Sequence, residues 1–372
     1  MKPLTEVWLS QSKRKLYGKC PFQYRLSEIE GIQPRYTPAP LRRGTMVHKG
    51  FEAALLHNFE GCKDLETLQN TGRQAIYRAQ AEWITSPEVE PFISAEKKDD
   101  AEALAVDAGR IFTRSFPRLG VHTGEWETVA AKSGEPMIEW KMETPLTGWA
   151  GLHGTADWVA RNTKTQHLWL WDWKTRKVLQ SESADRFQLQ HPTYIELLRI
   201  TEGVELAGAV TFQITAKVPK QPKQLKDGSI SKAACATDWA TYKAAVEAAG
   251  LDVKDYEFMK TATDTKGNRK LSLKDTIHFY YWSQQAVKKV FNSCMLGGAS
   301  SMENSYSELK NGGFLEDCFP RNINPMTCRG CSHRTYCEAD IRGEDTEFLA
   351  RTEYMREGEQ LVPEVELYSD DD

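Results

Sequence analysis

The sequence predicts a mixed α/β (α+β) layered domain, a central mixed β-sheet flanked by helices. Three observations carry that prediction. The chain has 372 residues, 40% of them apolar and 27% charged, so it can bury a large core without disulfides and is not disordered throughout. Its first third shows helical periodicity. A meander of strand-like alternation follows, and then a helix and a further strand.

The elements follow in order. GTMVHKGFEAALLHNF, residues 44–59, places apolar side chains near i, i+3 and i+4 and reads as a helix. Helical patterns continue over 64–86 and 97–116, the latter with an acidic start that suits a helix N-terminus. The period then changes. Residues 127–143 alternate as one or two strands. GLHGTADWVA (151–160) and HLWLWDWKT (167–175) read as two more, joined as a hairpin through the polar RNTKTQ. Residues 184–200 read as a helix with Pro192 in an early turn or at a kink. A strand over 205–218 comes next. The Lys-rich, polar stretch 219–275 reads as a partly mobile insertion. A short strand at 277–282 and an amphipathic helix at 283–296 precede a Cys-rich segment and an acidic tail ending SDDD. The expected organisation is an N-terminal helical region (1–125), a core from 126–218 plus 276–300, the insertion (219–275), the Cys segment (301–345) and the tail (346–372).

Composition also excludes. Against 52 acidic residues stand 48 basic ones, a net charge of −4, so any nucleic-acid binding must come from a local basic patch. No apolar run approaches the roughly 18 residues of a membrane span. The first residues, MKPLTEVWLSQSKRK, carry no apolar signal core. The expectation is a soluble protein of the cytoplasm, or of a host cytoplasm if viral, with its eight cysteines reduced or metal-bound.

The chemistry concentrates in the strand hairpin. Asp157 lies at the end of one predicted strand, and Asp172 and Lys174 lie near the end of the next. Strand period 2 puts Asp172 and Lys174 on one face and Trp173 on the other. LWLW ahead of them is apolar on both faces, as in a central strand, where charges must pair, bind metal or face a cleft. The hairpin can set Asp157 beside Asp172, and a hard divalent cation relieves the repulsion of adjacent carboxylates. A metal held there can acidify a water and clamp a phosphate oxygen, while Lys174 orients or deprotonates that water or stabilises charge. An isolated D-x-K is more often an ordinary surface pair, so the company it keeps decides.

That company resembles the PD-(D/E)XK nuclease superfamily in its RecB-like branch. The matching pieces are G-x-x-x-H at Gly44–His48, G-x-x-D at Gly154–Asp157, D-x-K at Asp172–Lys174 and Q-x3-Y at Gln190–Tyr194, in the family's order. The resemblance implies a restriction-endonuclease-like core. It implies that His48, Asp157, Asp172 and the backbone carbonyl of Trp173 ligate Mg2+ or Mn2+. Lys174 would be the catalytic lysine, and Gln190 and Tyr194, one helical turn apart, would hold the substrate strand or the lysine. Taken alone, Gln190 and Tyr194 read as parts of an amphipathic helix, and His48 as a satisfied histidine. An imidazole among carboxylates leans the site toward tolerance of Mn2+. Asp172 stands where the family often has Glu. His153 and His191 match no ligand position and read as bystanders, His153 being the better placed to line a cleft.

Cys328, Cys331 and Cys337 form C-x2-C-x5-C, interleaved with polar residues, and ask for a metal. Cys62, Cys235 and Cys294 are scattered. With Cys20 near the start, the set resembles the Fe–S subgroup of RecB-like nucleases, similar to the AddB nuclease domain and CRISPR-associated Fe–S exonucleases. The resemblance implies a [4Fe–4S] cluster on Cys20, Cys328, Cys331 and Cys337 that staples the chain ends together. Zn2+ on the same thiolates is the competing reading, and Cys318 is an alternative fourth ligand. Closing a loop of 308 residues is worth ~4–5 kcal/mol in the chain-entropy picture.

Basic residues flank the proposed site. Arg42 and Arg43 stand immediately before the G-x-x-x-H helix, and Lys13, Arg14 and Lys19 lie near Tyr24, a mixture that suits single-stranded nucleic acid. Lys217, Lys220, Lys223 and Lys226 open the insertion, where a solvated face is the plainer reading, and the Trp169–Trp171–Trp173 stripe reads as core. The functional expectation is a metal-dependent DNA exonuclease of recombination, repair or replication, in a phage or a cell. Its substrate would be DNA ends or single strands, with a helicase or recombination partner left open. The rivals are a non-catalytic end-binding subunit, an Fe–S or Zn adaptor, and an RNA-directed nuclease.

Overall fold

The computed structural model describes residues 7–34, 38–86, 95–147, 149–183, 189–273 and 275–356. A short strand, β1 (Val7–Leu9), leads into helix α1 (Gln11–Lys19), whose N-terminus is capped by Ser10 through the Lys13 amide. A helical turn, α2 (Pro21–Tyr24), and strand β2 (Ile32–Pro34) follow. Three long helices come next: α3 (Ala39–Phe59), α4 (Leu65–Ile84), capped by Asp64, and α5 (Ala95–Ser115). α3 begins five residues earlier than its apolar period suggests. Pro40 suits the first helical turn, where its missing N–H costs nothing. Arg42 and Arg43 therefore lie inside the helix, not before it.

Strands β3 (Trp126–Thr128), β4 (Ile138–Pro145), β5 (Ala150–Asn162) and β6 (Leu168–Arg176) form the expected meander. Asn162 shapes the β5–β6 turn by accepting from the Lys164 and Thr165 amides. Helix α6 (Gln190–Thr201) carries Pro192 in its first turn and crosses to β7 (Gly208–Thr215), parallel to β6. The part of that expected helix at 184–188 lies outside the described residues. β8 (Thr276–Tyr281) closes a seven-stranded sheet ordered β1-β5-β6-β7-β8, with β3 and β4 also on β5.

Two layers cover the sheet. On one face Trp158, Trp171, Trp173 and Phe212 pack against Val47, Phe51, Ile76 and Phe112 of α3, α4 and α5. The tryptophan stripe is core: Trp169, Trp171 and Trp173 are all buried. On the other face Leu170, Val159 and Ala209 meet Leu197 and Leu198 of α6 and Val287, Met295 and Met302 further on. Here the helix expected at 283–296 divides into α8 (Gln284–Val290), a π-helical stretch to Leu296, and α9 (Gly297–Lys310).

The stretch 219–275, expected to be partly mobile, packs a small core of its own. Ile230, Tyr242, Val246, Tyr256, Met259 and Leu271 cluster around helix α7 (Trp239–Ala248). These apolar residues are too widely spaced to register as a period. The chain beyond the cysteines is folded as far as it is described. Helix α10 (Arg334–Arg342), helix α11 (Thr346–Thr352) and strand β9 (Tyr354–Arg356) are folded, and β9 pairs antiparallel with β2. The SDDD end lies outside the described residues. No helix among the described residues is long and apolar enough to cross a membrane.

Candidate active site

The site forms where β5 and β6 part. Their ladder runs from Arg161↔Leu168 to Trp158↔Trp171 and then stops. Beyond that pair the Asp157 carboxylate takes over the backbone's role: its Oδ2 accepts from the Trp173 amide at 2.8 Å. The parted strands leave the Trp173 carbonyl facing α3, where His48 Nε2 stands 3.2 Å away. His48 Nδ1 lies 3.2 Å from Glu139 Oε1 and 3.8 Å from Asp157 Oδ1.

Asp172 sits on the neighbouring strand, 2% exposed. Its Oδ1 accepts from Lys174 Nζ at 2.6 Å and Gln190 Nε2 at 3.0 Å. Its Oδ2 is buried without a hydrogen-bond partner, 3.7 Å from His191 Nε2. A buried carboxylate oxygen left without a donor costs free energy unless something supplies positive charge. The His48, Glu139 and Asp157 ligand atoms, within 4.8 Å of one another, fit a divalent cation, whereas Asp172 is not part of that group and its second oxygen faces His191.

Electrostatics follow from burial. Burial and the Asp172 charge push the Asp157 carboxyl up to about 7, although His48 and Lys174 pull it down. Burial would also raise Asp172, but Lys174 and His191 outweigh it and hold that carboxyl well below the usual range. Lys174 would be lowered by burial, yet Asp172 and Asp157 raise it, so it stays an ammonium. Burial opposes charge on His48 too, and Asp157 and Glu139 outweigh it.

The motif glycine of β5 has a steric reason. A Cβ on Gly154 would stand 2.7 Å from Cε1 of Tyr194, so the ring packs directly on the strand. Burial, with the Asp157 charge, pushes the Tyr194 hydroxyl up to about 12. Gln190 and Tyr194, four residues apart on α6, thus reach the site together: one holds Asp172, the other covers Gly154. Gly44, by contrast, has open space where a side chain would be.

Two residues escaped the sequence reading. Glu139 belongs to no motif and sits in β4 at φ 45°, a left-handed conformation unusual for a non-glycine residue, which turns its carboxylate toward His48. His191 is not a bystander. It is fully buried, stacks on Tyr280, and its Nε2 lies between Thr211 Oγ1 at 3.1 Å and Asp172. Its place in QHPTY, next to Gln190, was the available signal.

The expected nucleic-acid residues divide. Tyr24 is not a stacking platform: it is 1% exposed, stacks on Phe319 and bonds to the Tyr306 hydroxyl at 2.9 Å, because α2 turns it into the core. Arg42 lies over the Trp83 ring, 3.3 Å from its centroid, and donates to Gln80, so packing engages it. Arg43 reaches the Ala216 carbonyl at 3.5 Å. Lys13 pairs with Glu28 at 2.8 Å, and Arg14 donates to Gln11. Lys19 is half-buried, and its carbonyl accepts from Asn322.

Cys20, Cys328, Cys331 and Cys337 line one cavity of about 370 Å3. Both chain ends build it. Phe22 N–H donates to the Pro320 carbonyl, Gln23 to the Ser332 hydroxyl, and His333 Nε2 meets the Ile32 carbonyl at 2.7 Å. No three of the cavity's sulfurs lie within 4.8 Å of one another. Cys318 does not line the cavity; it is buried in the core beneath α6 and α9, which removes it as an alternative ligand.

A family model described as the PD-(D/E)XK nuclease superfamily matches residues 8–270. The matched span holds His48, Glu139, Asp157, Asp172, Lys174, Gln190 and Tyr194, and it ends before Cys328. No curated protein matches the chain.

Proposed function

The chain belongs to the PD-(D/E)XK nuclease superfamily, and on that premise we propose that it is a divalent-metal-dependent exonuclease acting on DNA ends, of the RecB-like branch. The observation that carries this reading is the meeting of Asp157, Asp172 and Lys174 with His48 and the Trp173 carbonyl where β5 and β6 part. His48, Asp157, Asp172 and the Trp173 carbonyl, with Glu139, would hold Mg2+ or Mn2+. That ion, when bound, supplies the acidified water and the charge that a phosphodiester needs.

The chain's own groups have separable tasks. Lys174, kept charged by two carboxylates, stabilises negative charge growing on the phosphate and orients the water, with no covalent enzyme intermediate. Gln190 and Lys174 fix one oxygen of Asp172, and His191 stands 3.7 Å from the other. Tyr194, braced on Gly154, positions the scissile strand. The setting would be recombination, repair or replication.

A [4Fe–4S] cluster on Cys20, Cys328, Cys331 and Cys337 completes the reading. A zinc ion at about 2.3 Å from each of four sulfurs would bring them within roughly 3.8 Å of one another. The four cysteines lining one 370 Å3 cavity leave room for a group with several metal atoms.

The test is cleavage of end-labelled single- and double-stranded DNA, linear and circular, with Mg2+ or Mn2+. Metal-dependent loss of linear DNA only, absent in Asp172→Ala, is the expected result and reveals polarity. Cutting of circles would make the enzyme an endonuclease. No cutting by a protein whose cysteines are metallated would leave an end-binding subunit.

A further inference from the structure

We propose that the cleft between helices α4 and α5 and the 219–275 subdomain is a second binding site for a single-stranded polynucleotide, which it grips by its phosphates away from the cleavage centre. The proposal rests on the nuclease reading above and adds a track for the strand that is not being cut.

The cleft has a volume of about 880 Å3 and shares no residue with the site around Asp172. Six cationic side chains face it, against the two carboxylates Asp238 and Asp275. Both carboxylates are already engaged. Asp275 accepts from Arg114 at 2.9 Å, Ser115 at 2.7 Å and the Thr215 amide at 2.9 Å. Asp238 caps α7 through the Thr241 amide and turns its other oxygen toward Arg114. Arg114 also donates to the Thr215 and Lys217 carbonyls, so one arginine bolts α5, the end of β7 and the subdomain together. The cleft is therefore a fixed groove with its negative charge consumed.

Of the remaining five cations, Lys260 pairs with Glu257 at 2.8 Å and the four arginines stay available. Among the described residues, Arg73, Arg110, Arg118 and Arg269 have no carboxylate at ion-pair distance. Arg73 donates to Asn70, Arg118 to the Asp275 carbonyl and Arg269 to the Lys260 carbonyl, which fixes their stems and leaves their charge uncancelled. Helical spacing aligns them: Arg73 and Tyr77 on α4, and Arg110, Arg114 and Arg118 along α5 and the turn after it. In a chain of net charge −4, four unpaired arginines on one groove mark a polyanion site. Tyr77, 46% exposed, offers an aromatic face for a base between the phosphate contacts, while Trp239 is held by stacking on Tyr242 and by Lys260 over its ring.

Position suits a continuing strand. Gln213 of β7 is the register partner of Lys174, and Thr215, held by Asp275 in the cleft wall, lies two residues on, about 7 Å along the strand. The cations are spread over both walls and three elements, which matches an extended phosphodiester chain better than one compact phosphate group.

The test is fluorescence anisotropy of a labelled oligo-dT in EDTA, over a salt series, for the wild type and Arg110→Glu/Arg269→Glu. The expected result is a Kd raised at least tenfold and a salt slope shallower by about 1.4, near 0.7 for each of two lost phosphate contacts. A 5-iodouracil strand photo-crosslinked to the wild type should give adducts at Tyr77, a readout that does not depend on the variant folding. Unchanged affinity and slope in a variant of wild-type melting temperature, or adducts confined to the Tyr194 region, would overturn the proposal. So would a cleft that binds ATP or pyrophosphate but no oligo-dT. These outcomes are independent of cutting: equal metal-dependent cleavage by wild type and Asp172→Ala would instead overturn the nuclease reading.

Discussion

Gly154→Ala should destabilise the protein and disorder its catalytic pocket, although Gly154 needs no special backbone conformation. Its φ lies outside the left-handed range, so an alanine is conformationally acceptable there. What forbids it is the Tyr194 ring. The added Cβ would stand 2.7 Å from Cε1 and 3.2 Å from Cδ1 and Cζ, where ordinary carbon contacts begin near 3.5 Å. Tyr194 must withdraw by nearly an ångström, and overpacking of that kind costs about 1–3 kcal/mol. In a Tyr194→Ala background the clash is gone. Gly154→Ala should then stabilise by about 0.4–1 kcal/mol, because alanine restricts the unfolded chain. The reversal of sign is a coupling of roughly 1.4–4 kcal/mol, readable by a double-mutant cycle in urea denaturation. The single variant should also lose cleavage, since moving Tyr194 shifts α6 and with it Gln190, which holds Asp172. Additive effects of the two substitutions, or wild-type stability in Gly154→Ala, would refute the reasoning.

Three further expectations concern metals and charge. Because Asp157 is raised to about 7, the metal-free native state holds a proton there that the unfolded chain has released. Stability without metal should fall as pH rises from about 3.8 toward 7, and Mg2+ affinity should gain about tenfold per pH unit up to 7 and flatten above it. Calorimetry over pH 5.5–8 checks this, and a flat profile would count against it. Glu139→Gly should raise metal-free stability by about 1 kcal/mol or more, since glycine relieves the φ of 45°, while Mg2+ binding weakens; a variant that binds Mg2+ as well as wild type would remove Glu139 from the site. Cys331→Ser should lose the brown absorbance of an iron–sulfur cluster and lower stability by several kcal/mol, because the proposed cluster would close the 308-residue loop from Cys20 to Cys328; purified protein holding zinc and no iron would make the cluster assignment wrong.

Much of the fold was legible because its signals are local. The β5–β6 hairpin could be read from alternation on either side of a polar turn, and the tryptophan stripe from period 2 within one strand. Other signals misled for equally physical reasons. Tyr24 stands among basic residues in the sequence, but the short α2 helix rotates it toward Tyr306, 282 residues away. The 219–275 stretch looks polar because its six core residues are scattered between Ile230 and Leu271.

Sequence by itself supplied the family's motifs: Asp157, Asp172, Lys174 and the Gln190–Tyr194 pair, in the order in which they come. Spacing within a strand or one helical turn sets such neighbours before any folding occurs. Only the tertiary structure decided what those groups meet. It opened the ladder after Trp158↔Trp171 so that Asp157 caps Trp173, brought Glu139 and His191 to residues far from them in sequence, and left Asp172 Oδ2 without a donor. It also converged four unpaired arginines from α4, α5 and the 219–275 subdomain on one groove. Contacts of this kind depend on packing between distant elements, and no local period encodes them.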